Sequence, residues 1–576
     1  MKKGLKICLS IIFLIFTLAP PLAMAFLWQD GQTIETTKDT QISSLPDTIE
    51  EPKAEMQTWE NPTYKKFEDY FIDFSITAET ITEQDLAGRG TVKNPYIVRS
   101  TKGYLWLVGG DISGIDLTSK HIELDCDIIL NDETFDENGM PSGGDGIVYS
   151  WKTIKGSGVY FNGKNHIVKG LFFDDITQSN IGLFGSGKLS LMQNLTIDNV
   201  FLRANIFVYG FCHSANKIEN CNTRKGYLFA EDRVVSGISY SVYGPAENCK
   251  NHFDICGNTR AAGLFARFDG EVMKDCYNYG NIKCLSTSDG GCGGIVSVIY
   301  YYKSIAVNFE NIINYGDISG KNGIGGLIGF VYTDTTRLEL YFKFCKNYGS
   351  LHLKNDGCGG FVGTTTGADY NFYHCENYGK FNLTYNSGFF VGCTNGKETE
   401  IVINNCTVKG KKSLKFIGNQ YGGYCKININ GLNVDLDLDS NLTLDGHLFG
   451  SYVTTNATFD YNAKNLTYTI NCKNFNGYFS TGIEEIHNSI FKVTCTSYKV
   501  RDKYFLNDEG KISSNNLFEL EAGAKSEKHF YGTDFSGFYV DWKTGRIGLK
   551  ALSGKGFYQG KVTEEILLAK GYQKKA

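Results

Sequence analysis

A short phrase ending in Asn-Tyr-Gly recurs four times in the middle of this 576-residue chain, at intervals of 30 to 36 residues. A glycine-led apolar phrase, such as Gly359-Gly-Phe-Val-Gly363, follows each copy. A repeat of nearly fixed period predicts a solenoid, because each repeat buries its apolar side only by stacking on its neighbours. The copies are Cys276-Tyr-Asn278-Tyr-Gly280, Ile312-Ile-Asn314-Tyr-Gly316, Cys345-Lys-Asn347-Tyr-Gly349 and Cys375-Glu-Asn377-Tyr-Gly379.

The spacing of apolar residues inside a repeat indicates strands. These residues alternate or occur in short runs rich in Ile, Val, Phe and Tyr, which is strand spacing and not helix spacing. Residues Gly359 to Leu383, for example, form three such runs separated by Gly, Asn, Asp and Thr. We therefore predict an all-β fold, a parallel β-helix with three short strands per coil and small N- and C-terminal caps.

Cysteine and isoleucine exchange at two positions of the repeat, which predicts small buried apolar side chains at both. The position before x-Asn-Tyr-Gly holds Cys276, Ile312, Cys345, Cys375 and, in a weaker copy, Cys406. The position before Gly-Gly holds Cys292, Ile324 and Cys358.

The asparagines of the repeated phrase are predicted to form a ladder at a turn, with left-handed backbone and local hydrogen bonds. They are Asn278, Asn314, Asn347 and Asn377. The glycine two residues later, as at Gly349, is predicted to have a positive φ angle.

The N-terminus has the pattern of a secretory signal peptide. Lys2, Lys3 and Lys6 precede an apolar stretch that ends at Leu18, and Ala23-Met-Ala25 fits a cleavage site. We predict cleavage between Ala25 and Phe26 and a secreted or cell-surface location. No later segment contains eighteen consecutive apolar residues, so no transmembrane segment is expected after cleavage.

Sixteen of the seventeen cysteines follow the predicted cleavage site. An exported chain with so many cysteines usually carries disulfides. Equivalent residues in stacked coils, however, hold their Cβ atoms about 4.8 Å apart, whereas a disulfide prefers about 3.8 Å. We therefore expect mostly buried free thiols, and a disulfide framework is the alternative.

Composition and pattern divide the chain into four parts. The signal peptide covers residues 1–25, and a flexible polar spacer followed by an N-terminal cap covers 26–87, with a short amphipathic helix around Tyr64 to Ile72. The repeat array covers 88–497 and is clearest in 160–410. Residues 498–576 form a C-terminal cap or a small α+β attachment module, with a hairpin around Phe538 to Leu552 and a helix after Thr563.

The opening of the array resembles a known family. Phrases such as Gly88-Arg-Gly-Thr-Val-Lys-Asn-Pro95, Phe161-Asn-Gly-Lys-Asn-His166 and Asn180-Ile-Gly-Leu-Phe-Gly185 are similar to those of GLUG-type repeat proteins of bacterial cell surfaces. The resemblance covers about residues 88 to 410. It implies a β-helix at the cell surface with an adhesion or binding role and no defined catalytic residues.

Parallel β-helices also include polysaccharide lyases and hydrolases, whose chemistry needs acidic groups gathered on one flank. The candidates are the pairs Asp125 with Asp127, Asp174 with Asp175, and Glu484 with Glu485. Adjacent residues of a strand point to opposite faces, so Asp174 and Asp175 are not expected to cooperate if they lie in a strand. Asp125 and Asp127 could share a face, but solvated positions at a turn or strand edge are the favoured interpretation. The acidic segment from Asn131 to Gly146 lacks EF-hand spacing and is interpreted as a solvated insertion. We predict no catalytic, cofactor or metal residues.

Aromatic residues are the best candidates for binding. Tyr300, Tyr301 and Tyr302 are predicted to include a ligand-stacking face, since at least one of them must point outward. The tyrosines of the repeated phrase, Tyr279, Tyr315, Tyr348 and Tyr378, are predicted instead to stack on one another along a turn.

The pattern favours a non-catalytic, monomeric adhesin or recognition rod that binds an extracellular glycan, a protein or a cell-envelope component. A net charge of −5 without a run of Lys or Arg argues against nucleic acid as a partner. Two alternatives stay open, a polysaccharide-degrading lyase or glycoside hydrolase and a passive structural spacer. A groove with three or more clustered acidic groups would favour the enzyme.

Overall fold

The computed structural model describes residues 59, 61–285, 291–301, 304–321, 323–333, 337–353, 358–381, 387–395, 398–410, 415–421, 423–437, 443–445, 452–453, 457–476, 483–498, 515–553 and 559–575. The predicted signal peptide, the polar spacer and Tyr302 lie outside these residues. Within them the chain forms a parallel β-solenoid of about 12 turns, as the repeat period predicts.

The coils between Phe172 and Leu353 contribute strands to three sheets, called face 1, face 2 and face 3 below. In one central coil, Val272–Lys274 and Tyr277–Asn278 lie in face 1, and Ile282–Cys284 lies in face 2. Cys292–Gly293 and Val296–Tyr301 lie in face 3, after which Ile305–Glu310 starts the next coil on face 1. Face 2 comprises Phe172–Asp174, Val200–Ala204, Gly226–Ala230, Asp254–Gly257, Ile282–Cys284, Ile318–Gly320 and Leu351–Leu353.

Repeated phrases lie on top of one another in parallel register. Asn278 pairs with Asn314, Asn314 with Asn347, and Asn347 with Asn377 on face 1. On face 3, Cys292 pairs with Ile324, which pairs with Cys358. All of the cysteines and isoleucines that were predicted to point inward are buried in one continuous core. They are Cys276, Ile312, Cys345, Cys375, Cys406, Cys292, Ile324 and Cys358.

The asparagines of the repeated phrase point into the core instead of lying at a left-handed turn. Asn278, Asn314, Asn347 and Asn377 are fully buried, and none of them has a positive φ. The Nδ2 of Asn314 donates to Gly316 O (2.9 Å) and to Asn347 Oδ1 (3.0 Å), while its Oδ1 accepts from Asn278 Nδ2 (2.9 Å). These bonds form an internal amide ladder that satisfies buried polar groups from coil to coil.

The ladder is satisfied at both of its ends. At the first rung, Thr223 Oγ1 donates to Asn251 Oδ1 (3.0 Å). At the last rung, Asn377 Nδ2 donates to Phe389 O (2.8 Å). All amides donate in the direction of the C-terminus, so the ladder has one orientation throughout.

Glycines face this ladder because a side chain there has no room. A Cβ on Gly294 would lie 2.1 Å from Gly326 O and 2.6 Å from Asn314 Cγ. The glycine at the end of the repeated phrase is also required by close approach and not by a positive φ, contrary to the sequence-based prediction. A Cβ on Gly316 would lie 1.9 Å from Gly280 O.

The left-handed position of the coil is the residue immediately before the buried cysteine or its equivalent. In the central coils, as at Asp275, it lies between the two face 1 strands, and elsewhere, as at Asn405, it lies within one longer strand. Its φ lies between 49° and 61°. Asn dominates there because its short polar side chain tolerates this conformation. The residues are Asn194, Asn220, Asn248, Asp275, Asn311, Phe344, His374, Asn405, Asn465, Asn488 and Asn515.

Two short helices lie at the N-terminal end of the residues that the structure describes. Helix α1 (Asp69–Asp73) overlaps the second half of the range predicted for a short helix, while Thr63–Lys65 is a strand paired with Ile147–Tyr149. Helix α2 (Thr101–Val108) begins after Ser100, whose Oγ accepts a hydrogen bond from Gly103 N (3.0 Å). This helix lies between Tyr96–Val98 and His121–Leu124, which pair as parallel strands. The repeat pattern does not predict it.

The parallel stack continues to Asn516–Ala522, beyond the predicted limit at residue 497. Lys525–Tyr531 then pairs antiparallel with this last strand, and Gln573–Lys575 pairs with Lys525–Tyr531. The predicted hairpin is present as Phe538–Asp541 and Ile547–Leu549, joined by a third strand, Gln559–Lys561. Helix α3 (Glu564–Ala569) begins after Thr563, whose Oγ1 accepts from Ile566 N.

The C-terminal strands and helix α3 share a small apolar core with Ile490 and Leu517 of the last coils. Of the helices in the described part of the chain, none is long and apolar enough to cross a membrane.

Candidate functional site

The tyrosines of the repeated phrase form an aromatic ladder on the outside of face 1. Neighbouring ring centroids lie 4.9 to 5.1 Å apart, and the ring planes differ by only 2° to 7°. His252 extends the row by stacking on Tyr279 at 4.5 Å. Because each inner ring is covered on both faces by its neighbours, the row exposes ring edges and hydroxyl groups. A sugar ring therefore has no free aromatic face to stack on along the row.

The three consecutive tyrosines predicted for ligand stacking have different environments. Tyr301 points inward, is 4% exposed and donates its hydroxyl hydrogen to Gly270 O (2.7 Å), so it does not face a ligand. Tyr300 points outward on face 3 and is half-buried. Tyr302 lies outside the described residues. Alternation along the strand explains why Tyr300 and Tyr301 differ.

Two arginines from the preceding coil surround Tyr300. The guanidinium carbons of Arg260 and Arg267 lie 5.6 Å and 5.5 Å from its ring centroid, and Arg260 Nη2 donates to its hydroxyl oxygen (3.0 Å). Tyr332 of the following coil lies 5.5 Å from the same ring. Each cation–π contact of this kind stabilises the arrangement by about 0.5–1 kcal/mol. The Tyr300 ring is therefore held in a fixed orientation.

More aromatic side chains extend this surface towards the N-terminus. Tyr240 lies close to Arg267, and its ring centroid is 4.8 Å from those of both Phe207 and His213. Burial lowers the pKa of His213, so its imidazole is neutral at pH 7. All of these side chains are partly exposed. We call this surface the Tyr300 strip, and its members are Phe207, His213, Tyr240, Arg260, Arg267, Asp269, Tyr300 and Tyr332.

The two arginines of the Tyr300 strip differ in their charge partners. Arg267 Nε forms an ion pair with Asp269 Oδ2 at 2.7 Å. Burial raises the pKa of Asp269, and the hydrogen bond from Arg267 opposes that shift. Arg260 has no carboxylate partner within the described residues, and its guanidinium is half-buried beside Tyr300. The strip thus offers aromatic rings together with one uncompensated cation.

The acidic residues considered as catalytic candidates are held in separate local interactions. Asp127 accepts hydrogen bonds from Ile167 N and His166 Nδ1, both at 3.0 Å, and the bond from the Ile167 amide lowers its pKa. Asp174 pairs with Arg203, while Asp175 bonds to Thr177 in the following turn.

The remaining candidates do not join them. Asp125 lies 3.8 Å from Arg99, and for Glu484 and Glu485 only the backbone, within the strand Ile483–His487, is described. Among the described residues, no group of three or more His, Cys, Asp or Glu side chains is arranged to hold a metal ion.

The segment from Asn131 to Gly146 is a packed hairpin and not the solvated insertion predicted from its composition. Thr134–Phe135 pairs with Pro141–Ser142, and Phe135 is buried against Phe172 and Phe201. Glu133 is 2% exposed, accepts from Gly146 N (3.1 Å), and has its pKa raised by burial. The acidic side chain is therefore used to hold the hairpin closed.

The cysteines form no disulfide within the described residues, in agreement with the prediction from coil spacing. Thirteen of the sixteen that follow residue 25 are buried. Burial raises the pKa of Cys212 to about 12, so this thiol stays protonated and unreactive at neutral pH.

Comparison with known proteins adds no further assignment. No known family, no curated protein and no solved structure matches this chain. The resemblance to GLUG-type repeats therefore stays a prediction from the sequence, and the solenoid architecture follows from the structure itself.

Proposed function

We propose that this protein is a secreted or surface-exposed recognition rod whose Tyr300 strip binds an extracellular glycan or protein. The observation that carries the proposal is the ring of Tyr300, fixed outward between Arg260 and Arg267 on a rigid sheet. Tyr and Arg are enriched among the residues that contribute most to binding energy at interfaces. Fixed side chains also lose little conformational entropy when a partner binds.

The solenoid supports this role by its rigidity. On face 3, Tyr300 pairs in parallel register with Tyr332 of the next coil, and the strand Arg260–Ala262 of the preceding coil pairs with Cys292–Gly293. The side chains of Arg260, Tyr300 and Tyr332 come from three successive coils, so their spacing is set by coil stacking and not by loops. A ligand that spans several coils would contact groups at nearly constant intervals.

The proposal contains no catalytic step. The carboxylates of Asp127, Asp174 and Asp175 each stabilise a turn or a neighbouring side chain, which gives them a structural role. Polymer cleavage by the purified chain without detectable binding at the Tyr300 strip would replace this proposal with the enzymatic alternative.

The proposed location depends on the N-terminal sequence and on the resemblance to GLUG-type surface proteins. Fractionation of the source cells should recover the protein in the medium or the cell envelope, with Phe26 as its first residue by N-terminal sequencing. Recovery of the chain in the cytoplasm with Met1 intact would contradict this part of the proposal.

Binding is tested with the chain from Phe26 onward on a glycan array and in pull-downs from extracellular proteins. The variants Tyr300→Ala and Arg260→Gln should each weaken a detected interaction at least tenfold. The control Tyr315→Ala removes a ring of equal size from the aromatic ladder on face 1 and should leave binding unchanged. Equal binding by all three variants and the unaltered chain would show that the Tyr300 strip is not the recognition site.

A further inference from the structure

A cleft of about 660 Å³ lies between the outside of the last coils of face 1 and the C-terminal hairpin. This volume is within the range of small-molecule sites. Residues from three successive parallel strands and one antiparallel strand form one wall, and the turn Gly545–Gly548 with Lys570 forms the other. The first wall contains Thr467, Thr469, Lys492, Thr494, Glu519, Glu521 and Lys528.

Charged side chains of the first wall lie directly opposite one another on neighbouring strands. Lys492 pairs in register with Glu519, and Glu519 with Lys528. The Lys492 Nζ is 3.3 Å from Glu519 Oε2, and the other oxygen of Glu519 accepts from the Tyr572 hydroxyl. Both carboxylate oxygens of Glu519 therefore have a partner, and its charge is balanced by that of Lys492.

Two cations of the cleft have no carboxylate partner within the described residues. Lys528 Nζ lies over the Tyr572 ring, 5.6 Å from its centroid, and Arg546 extends from the hairpin turn on the opposite wall. Lys570 is held by a hydrogen bond to Gly545 O. The lining residues that the structure describes include four cations and two carboxylates, whereas the whole chain carries a net charge of −5. The local charge of the cleft is thus opposite to that of the protein as a whole.

The large apolar side chains that line the cleft are almost completely covered by their neighbours. Its apolar members, Ile490, Val493 and Ile547, are only 2%, 1% and 9% exposed, and the Tyr572 ring is 3% exposed. A nucleobase would find no exposed aromatic face for stacking, because the Tyr572 ring is covered. Threonine hydroxyl groups, which donate and accept hydrogen bonds, suit a ligand rich in hydroxyl groups.

We propose that this cleft binds an acidic saccharide. Its carboxylate or sulfate group is held by Lys528 and Arg546, and its hydroxyl groups bond to Thr467, Thr469 and Thr494. Guanidinium groups form strong, directional hydrogen bonds with oxyanions, and the ammonium group of Lys528 adds a second charge. The site is separate from the Tyr300 strip, so each can be tested without the other.

The test is calorimetric titration of the chain from Phe26 onward with three probes of equal length: trigalacturonate, sulfated galactotriose and the neutral methyl ester of trigalacturonate. At least one acidic probe should bind, and the ester should bind at least tenfold more weakly. The double variant Lys528→Gln with Arg546→Gln should lose at least tenfold in affinity for the acidic probe. Lys543→Gln, a cation in the same hairpin turn that does not line the cleft, is the matched control and should bind normally.

Three results would overturn the proposal: neither acidic probe binds, the ester binds equally well, or the double variant binds as tightly as Lys543→Gln. Circular dichroism of each variant must match that of the unaltered chain, which the exposure of Arg546 and the partial exposure of Lys528 lead us to expect. Tyr300→Ala should bind the acidic probe normally, so failure of the Tyr300 strip would not affect this result.

Discussion

Replacing Asn314 by Ala tests whether the internal amide ladder stabilises the solenoid. Asn314 makes three side-chain hydrogen bonds of 2.9 to 3.0 Å in a fully buried position. Each is expected to contribute about 1 kcal/mol net, so the substitution should lower the free energy of unfolding by about 3 kcal/mol. Asn347 Oδ1 would then lose its donor in a place that water does not reach.

Asn314→Asp separates hydrogen bonding from shape. The carboxylate has the same size as the amide, but it places an acceptor opposite Gly316 O and Asn347 Oδ1, which are both acceptors. We therefore expect Asn314→Asp to lower the free energy of unfolding by at least as much as Asn314→Ala. The control is Asn281→Ala, which removes one exposed bond from Asp317 N (3.2 Å) and should change stability by less than about 0.5 kcal/mol.

The measurement combines urea unfolding with hydrogen exchange and mass spectrometry of peptides from the central coils. Because solenoid coils interact mainly with their neighbours, the increase in exchange should be largest in the coils around residue 314. If Asn314→Ala stays within about 0.5 kcal/mol of the unaltered chain, or if Asn281→Ala costs as much, the amide ladder does not contribute as we argue.

Three further predictions concern the backbone and the thiols. Phe344→Asn should raise the free energy of unfolding by about 1 kcal/mol in the same assay, because Phe344 occupies the left-handed position with φ 57° and is 53% exposed. A lower free energy of unfolding would show that stacking of Phe344 on His374 outweighs backbone strain. Gly326→Ala should lower the free energy of unfolding by roughly 3 kcal/mol, since the added Cβ would lie 2.1 Å from a carbonyl oxygen of the next coil. An unchanged unfolding midpoint would contradict that close contact. Titration with a thiol reagent should label all sixteen cysteines after denaturation without reductant, and fewer than sixteen labelled thiols would reveal disulfides. In the native chain, rapid labelling should be confined to the partly exposed Cys126, Cys256 and Cys472.

The inward positions of the coil were predictable because cysteine and isoleucine exchange there and the strand period is two. The stacking of the asparagines was predicted, but their position inside the core was not, since an isolated Asn is more stable in a turn than in a core. What changes the balance is register: Asn314 meets another Asn one coil away, and glycine on face 3 leaves room for the amide. The true left-handed position had a sequence signal in the Asn or Asp before each cysteine, but Phe344 and His374 obscured it.

The candidate site was only partly predictable. Alternation places Tyr300 outward and Tyr301 inward, but neither Arg260 nor Arg267 belongs to a recognisable motif. Arg260 lies 40 residues before Tyr300 and reaches it only because the coils stack with a specific offset. The C-terminal cleft depends on how the hairpin packs beside face 1, which local sequence does not determine.

The amide ladder, closed by Thr223 at one end and by Phe389 O at the other, places no restriction on how many rungs lie between. A gene duplication that adds one whole repeat would insert an asparagine that receives a hydrogen bond from the preceding coil and donates one to the next, and a deletion of one repeat would rejoin the row without a gap. Such a protein can change its length over generations in steps of one coil, while the surfaces at its two ends stay intact.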